Sequence, residues 1–246
     1  MRAVGADVLR VGCAGWNLPR QDWPEFPPEG SHLERYAARL NAAEINSSFY
    51  RPHQPATYAR WAESVGEDFR FSVKLPKTVT HEHRLVETQA LMETFLSQVT
   101  ALGPRLGCLL VQLPPSLAFE AKVVSAFFHE LRRSYTGAVA LEVRHASWFN
   151  AGVDDLLSQF QVARVLADPV LHDGGRWPGG WPGLVYCRLH GSPRMYYSAY
   201  SDEVLGALAR RMQLAQKEGA QVWCIFDNTA SGAAVPDALR LMRQLR

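Results

Sequence analysis

The sequence lacks the features of membrane and secreted proteins. No stretch approaches the ~20 apolar residues that a membrane-spanning helix needs, and the first ten residues, MRAVGADVLR, lack the apolar core of a secretory signal. Because the four cysteines form no CxxC or CxxH pair and each lies in an apolar run, we expect reduced, buried thiols and a cytoplasmic protein. These cysteines are Cys13, Cys108, Cys187 and Cys224.

Signatures of nucleotide cofactors are absent as well. The chain has no GxGxxG, no Walker loop and no GxSxG, and its most glycine-rich run, GGRWPGG, is not followed by a helical pattern. We therefore expect no nucleotide cofactor. The formal net charge of +2 and the pI near 8.4 are too small for a general nucleic-acid-binding surface. A local basic pocket is still compatible with this charge.

What is present is a regular alternation of strand and helix patterns. Helical spacing follows most of the apolar, β-branched runs, and right-handed parallel crossovers of this kind build α/β folds. Eight such units in 246 residues predict a single-domain TIM (β/α)8 barrel spanning residues 1–246, with an open doubly wound sheet as the alternative. The predicted strands are 8–13, 42–47, 69–75, 107–113, 138–143, 162–167, 184–189 and 222–226, and the predicted helices are 33–40, 55–63, 88–102, 121–133, 153–159, 201–217 and 235–245.

One segment interrupts the alternation. Residues 172–183, HDGGRWPGGWPG, stand where the sixth helix belongs, but they are too rich in glycine and proline to be helical. We expect a long loop over the barrel mouth.

Polar residues gather where the predicted strands end. In a barrel this edge carries the active site, and side chains two residues apart share a face. At least seven strands deliver a polar group there: Glu44 with Asn46, Ser72 with Lys74, Glu142 with Arg144, Arg188 with His190, and Gln112, Asp168, Asp227 and Asn228. An unpaired buried charge costs several kcal/mol, so these groups must pair, bind a ligand or face water. The pattern indicates a preorganised polar site, with a purely structural ion-pair network as the alternative.

Acid–base candidates follow from this placement. Glu142 is the first choice, because burial and neighbouring arginines can tune the pKa of a carboxylate. Lys74 is the second, since an ammonium among other cations loses its proton more easily and can act as a base or a Schiff-base nucleophile. Glu44 completes the catalytic set.

Ligand-binding candidates surround these groups. Arg188 and Arg144 have planar guanidinium groups that suit a carboxylate or a phosphate, so we expect an anion-binding pocket. Rim aromatics, among them Trp177, Trp181, Tyr196 and Tyr197, suit stacking on a sugar or a base. The full predicted ligand-binding set is Trp16, Asn46, Tyr50, Gln112, Arg144, Trp148, Arg188, His190, Asp227 and Asn228.

A divalent metal is a further possibility. His81 and His83, in THEH, have a spacing that suits chelation together with Asp168 or Glu44. Ordinary solvated or hydrogen-bonded histidines are the alternative, because no HExxH or similar signature is present.

Six motifs span nearly the whole chain: VGCAGW, AAEINSSFYR, FSVKLPKTVTH, ALEVRHASWF, YCRLHG and FDNTASGAA. In combination they resemble those of the YecE-like family, also called domain of unknown function 72. The resemblance implies a TIM barrel similar to the xylose isomerase-like barrels, and it implies no settled activity. Asp227 stands where relatives often have asparagine. The family motif positions present here are Gly15, Trp16, Glu44, Asn46, Phe49, Tyr50, Lys74, Thr80, His81, Glu142, Arg144, Trp148, Arg188, His190, Gly191 and Asn228.

These observations lead to one functional hypothesis and two alternatives. The hypothesis is an enzyme, a hydrolase or an isomerase, that acts on a small polar or phosphorylated, sugar-like substrate, with Glu142 or Lys74 in proton transfer and Arg188 holding an anion. The first alternative is an endonuclease IV-like phosphodiesterase that binds nucleic acid and a metal. The second is a barrel that binds a ligand without converting it. No membrane partner is expected, and oligomeric state is left open.

Overall fold

A computed structural model describes residues 9–245, so residue 8, the first of the predicted first strand, lies outside the described part. The strands are β1 Leu9–Ala14, β2 Ala42–Ile45, β3 Arg70–Lys74, β4 Leu106–Gln112, β5 Ala138–Glu142, β6 Val162–Arg164, β7 Leu166–Asp168, β8 Gly179–Gly180, β9 Leu184–Leu189 and β10 Gln221–Phe226. The α-helices are α1 His32–Ala37, α2 Ser47–Tyr50, α3 Pro55–Glu63, α4 Gln89–Val99, α5 Ala121–Ser134, α6 Ala151–Gln159, α7 Asp202–Lys217 and α8 Ala234–Gln244.

The strands form one sheet that closes on itself. The order is β7-β9-β10-β1-β2-β3-β4-β5-β6-β8, and every pair is parallel except β6 with β8. β6 and β7 are separated by Val165 alone, whose N–H donates to Leu141 O (2.9 Å) and so continues the ladder with β5. They therefore occupy one position of the barrel, and the predicted eight-stranded TIM barrel is confirmed.

Local sequence signals explain where several helices begin and end. Ser31 and Glu34 form a capping box at the start of α1, and the Asn150 and Ser201 side chains accept backbone N–H groups at the starts of α6 and α7. Gly219, with φ of 93°, follows the end of α7 in the left-handed conformation that glycine adopts most easily.

The apolar side chains divide into two layers. A large cluster packs between the barrel wall and the helices. A smaller cluster fills the barrel interior with Ala42, Leu110, Ala140, Tyr186 and Trp223 among its members, and the Tyr186 and Trp223 rings stack there with centroids 5.8 Å apart. The barrel is therefore a packed core whose upper end is left for polar groups. All four cysteines are free and buried, as expected from the sequence.

The described residues between β7 and β9 contain no α-helix, as the sequence predicts for the sixth helix position, but the replacing segment does not lie entirely over the mouth. His172 reaches Arg144 O (3.2 Å between Nε2 and O) at the mouth. Farther on, Gly179–Gly180 pairs antiparallel with β6 on the outside of the barrel. This correction has a physical reason: β9 pairs with β7 and not with β6, so the edge of β6 opposite β5 offers its backbone groups to the glycine-rich segment. None of the described helices is both long and apolar enough to cross a bilayer.

Candidate functional site

The carboxyl ends of the strands bring the predicted polar side chains into one cluster inside the barrel. Glu44 comes from β2, Glu142 from β5 and Arg188 from β9, and the three are buried with at most 1% of their surface exposed. Side chains alternate between the two faces of a strand. The residues two positions before these three point into the barrel, so these three side chains do as well. The convergence predicted from the sequence is therefore present in the structure.

Arg188 is the centre of this cluster. Its Nε donates to Glu44 Oε2 (3.1 Å) and its Nη2 to Glu44 Oε1 (2.6 Å), which makes a bidentate pair. Nη1 donates to Glu142 Oε2 (2.5 Å), and Nη2 also donates to Asp227 Oδ2 (3.0 Å). The guanidinium, expected to hold a ligand anion, instead binds three carboxylates of the chain itself and has no exposed surface.

Glu44 is also tied to the layer below. The Tyr186 hydroxyl lies 2.8 Å from Glu44 Oε2 and 2.8 Å from Ser72 Oγ. Because a phenol has one proton, it donates to the carboxylate and accepts from the serine. Burial, followed by the nearby Glu44 charge, holds the pKa of Tyr186 well above its ordinary value. Glu44 is thus a positioned partner of Arg188, and the catalytic role expected for it has no free oxygen to act through.

Glu142, the first acid–base candidate, is saturated with donors. Its Oε1 accepts Nε (3.1 Å) and Nη2 (2.9 Å) of Arg144, and Gln112 Nε2 lies 3.4 Å away. Burial raises the pKa of Glu142, but the charges of Arg188, His190 and Arg144 outweigh it and hold the pKa well below its ordinary value. A carboxylate so stabilised stays ionised and is a weak base.

His190 connects two of the acids. Its Nδ1 lies 3.1 Å from Asp227 Oδ2, and its Nε2 lies 3.3 Å from Glu142 Oε1 without the alignment of a hydrogen bond. Burial lowers the pKa of His190, but the Asp227 and Glu142 carboxylates outweigh it and raise the pKa. Burial likewise raises the pKa of Asp227, and Arg188 and His190 reverse this effect. These side chains therefore stabilise one another's charged forms.

Lys74 differs from the other buried charges. It is 9% exposed, and it makes no ion pair with any carboxylate of residues 9–245. Its Nζ lies over the Phe49 ring, 4.1 Å from the centroid. Burial, together with the charge of Arg188, lowers the pKa of Lys74 to about 8. A sizeable fraction of this amine is thus neutral near physiological pH, as a proton acceptor requires.

The rim beside Lys74 carries further predicted residues. His81 packs edge-on against Phe49 with centroids 5.0 Å apart, and Asn46 Oδ1 is buried without a hydrogen-bond partner. Tyr50 is 74% exposed, while Trp16 is half-buried and packs edge-on against Trp61 of α3 and Phe71 of β3. Phe49 thus connects Lys74 with His81 and Tyr50 at the rim.

Two predicted ligand-binding residues lie elsewhere. Trp148 is 1% exposed, and its Nε1 donates to Leu117 O (2.8 Å), so the ring belongs to the core behind the rim. The Asn228 amide nitrogen donates to Ser198 O (2.9 Å) and Asp237 Oδ2 (2.8 Å), which anchors a loop. The prediction that both contact a ligand is corrected, because Trp148 is buried in the core and the Asn228 amide is held by a backbone carbonyl and by the Asp237 carboxylate.

Two rim aromatics are corrected as well. Trp177 and Trp181 were expected at the mouth, where they would stack on a ligand. The structure places Trp177 on the outside of the barrel, under Arg211 of α7. Trp181 packs against the apolar cluster of the barrel interior, with its N–H bound to Val162 O at the start of β6. Both belong to the glycine-rich segment, which leaves the mouth to pair with β6.

The surroundings of His81 do not fit a divalent metal. Its Nδ1 lies 2.8 Å from Thr80 Oγ1. Burial and the charges of Lys74, Arg144 and Arg84 lower the pKa of His81, so its charged neighbours are cations. Within residues 9–245, no group of three or more His, Cys, Asp or Glu side chains is arranged to hold a metal ion.

Sequence reasoning missed Tyr186, which supports Glu44 from below. The signal was available, because Tyr186 lies two residues before Arg188 in the same strand and therefore faces the same way.

Beside Glu142, Arg144 and His190 lies a cavity of about 20 Å³, with room for about one water molecule.

Fold and site together define a (β/α)8 barrel whose mouth contains a buried arginine–carboxylate network and a lysine, Lys74, without an ion pair in the described part of the chain. The chain belongs to the family described as protein of unknown function DUF72, whose model matches residues 10–246. The YecE-like resemblance seen in the sequence is thereby confirmed.

Two curated relatives are YecE proteins of Escherichia coli, both named UPF0759 protein YecE. The K12 protein is 33% identical over 168 residues, which cover 65% of this chain and 59% of the relative. The O157:H7 protein is 33% identical over 150 residues, covering 60% of this chain and 53% of the relative. The matched part of the chain thus spans just over half the length of these relatives.

Two solved structures have the same fold. A DUF72 family protein of Enterococcus faecalis V583 superposes with a TM-score of 0.78 at 20% identity, covering 97% of this chain and 95% of that one. A DUF72 family protein of Thermotoga maritima MSB8 gives 0.77 at 24% identity, covering 97% and 99%. At these identities the likeness concerns the fold alone.

Proposed function

We propose that the protein is an enzyme that acts on a small anionic substrate, such as a phosphorylated or carboxylated sugar, with Lys74 as the proton-transfer group. The observation that carries the proposal is the contrast between Lys74 and its neighbours. Glu44, Glu142 and Asp227 all pair with Arg188, whereas Lys74 has no ion pair within residues 9–245 and has a pKa of about 8. A purely structural network gains nothing from leaving one buried ammonium without a partner.

Arg144 is the group best placed to bind the anionic part of the substrate. Its side chain is 19% exposed, and Glu142 engages its Nε and Nη2. A guanidinium has five N–H donors in a planar fork, so donors remain for a phosphate or carboxylate oxygen. Arg144 therefore takes over the anion-binding role that the sequence suggests for Arg188.

The network supports this chemistry by fixing the electrostatics of the mouth. Arg188 lowers the pKa of Lys74 by charge repulsion, in the same direction as burial. Because Glu44 and Glu142 act in the opposite direction, the balance of charges tunes the amine toward neutral pH. The buried acids are thus positioning groups, and Lys74 is the proposed catalytic residue.

The proposal is tested by mass-spectrometric profiling of a metabolite extract incubated with the protein at pH 6 to 9. Conversion should rise with pH through an apparent pKa of about 8 and should be lost in Lys74→Met. Lys77→Met is the matched control, because Lys77 is an exposed lysine of the same region, paired with Glu82. If the wild type binds an anion but converts no metabolite, the protein is a non-catalytic binding barrel and the proposal fails.

The metal-dependent phosphodiesterase alternative gains no support from the cationic surroundings of His81. The free, buried cysteines fit a reducing compartment, and we propose that the protein acts in the cytoplasm.

A further inference from the structure

The missing sixth helix leaves a cavity on the outside of the barrel. In an ordinary (β/α)8 barrel a helix covers this part of the wall, but here only the segment with β8 and the neighbouring helix α7 lie over it. Between them is a cavity of about 350 Å³, a volume within the range of small-molecule sites. It lies against the outer surface of the wall and shares no lining residue with the cavity beside Glu142.

The lining of this cavity is mainly apolar. Leu166 and Cys187 come from the barrel wall, Leu208 and Met212 from α7, and all four are at most 8% exposed. Trp181 of the glycine-rich segment closes another side. An apolar molecule seated here would remove these surfaces from water, which stabilises binding by about 25 cal/mol per Å² of apolar area.

The edge of the cavity carries one cation that has no acidic partner. Arg211 of α7 lies over the Trp177 ring, with its guanidinium carbon 4.3 Å from the centroid, and it makes no ion pair within residues 9–245. Trp177 is 64% exposed, unusual for so large an apolar side chain. Glu218, which also lines the cavity, lies seven residues beyond Arg211, about 10 Å along a helix axis.

We propose that this cavity binds an amphipathic small molecule, with an apolar body against α7 and the barrel wall and a single carboxylate or similar anion against Arg211. The apolar lining fits the body of such a molecule, and the unpaired guanidinium fits its head group. The distance to Glu218 orients the molecule, because an anion is repelled from that end and attracted to the Trp177 end. The site is independent of Lys74 and of the enzyme proposed above.

The test uses decanoate as the probe, with 1-decanol as the uncharged probe of equal chain length. Binding is followed on the whole chain by tryptophan fluorescence, since Trp177 and Trp181 both line the cavity. Decanoate should saturate at one molecule per chain. Arg211→Met should weaken decanoate about tenfold, the loss of roughly one charge-assisted hydrogen bond, and should leave 1-decanol unchanged.

Two further variants keep the test decisive. Arg210→Met is the matched control, because Arg210 neighbours Arg211 in α7 but does not line the cavity, and it should bind both probes like the wild type. Ala215→Phe should fill the cavity and abolish binding while circular dichroism shows a folded protein. The proposal is overturned if the two arginine variants weaken decanoate equally, or if folded Ala215→Phe still binds. Self-association through Trp177 that excludes the probe would overturn it too.

Discussion

Replacing Arg188 by methionine should expose how the buried charges depend on one another. The variant keeps much of the side-chain volume but leaves Glu44, Glu142 and Asp227 without the cation that they share. Removing one partner of a buried ion pair typically costs about 3–5 kcal/mol. Glu44 then has no ion-pair partner within residues 9–245, while Glu142 keeps Arg144 and His190, and Asp227 keeps His190. We therefore expect a loss within that range, a large share of a total stability of about 5–15 kcal/mol.

The pH dependence gives this prediction its sign. In the wild type the pKa values of Glu142 and Asp227 lie below their ordinary range, so their contribution to stability is present above the unfolded-state pKa and is lost as the pH falls through the folded one. Without Arg188, both pKa values rise because the largest charge that opposes burial is lost, although His190 still lowers both and Arg144 still lowers that of Glu142. As the pH falls from about 7 to about 5, protonation of these carboxylates removes buried negative charge from the variant. The difference in unfolding free energy between the wild type and the variant therefore becomes smaller.

Urea unfolding followed by circular dichroism at both pH values measures the gap. Arg133→Met is the control, because Arg133 is 64% exposed and pairs with Glu130 at the surface, and its effect should stay within about 0.5 kcal/mol. A loss below about 1 kcal/mol for Arg188→Met, or a gap that widens at low pH, would refute the reasoning.

Three other predictions concern single side chains. In NMR spectra of methylated lysines, one signal should titrate near pH 8, and Lys74→Met should remove it. If all lysine signals titrate near pH 10, the role proposed for Lys74 is contradicted. His190→Gln should cost more stability at pH 6 than at pH 9, because the raised pKa of His190 contributes stability below the unfolded-state value that disappears as the pH rises through the folded one; equal unfolding free energies at both pH values would argue against it. Trp148→Phe should lower the unfolding free energy by about 1–3 kcal/mol, since it leaves Leu117 O without its donor, while anion binding at the mouth stays unchanged; a change in that binding would return Trp148 to the site.

Much of the fold was predictable because it depends on local patterns. The predicted 184–189 strand and 55–63 helix coincide with β9 and α3. The short helix α2 was missed, because four residues are too few to show a helical period. The predicted strand 162–167 became β6 and β7, since its two halves pair with different neighbours, β5 and β9.

By itself, the sequence determined that polar side chains converge at one end of a barrel. This follows from two short-range regularities, the alternation of side chains along a strand and the parallel order of strands joined by helices. Which groups pair was decided only by the tertiary structure. Arg188 and Glu44 are 144 residues apart in the chain, and no local pattern reports that their atoms meet at 2.6 Å. Only the packing of the folded chain shows that Arg188 binds the protein's own carboxylates and that Lys74 has no ion pair within residues 9–245. The same is true of the cavity that lies where a sixth helix would pack.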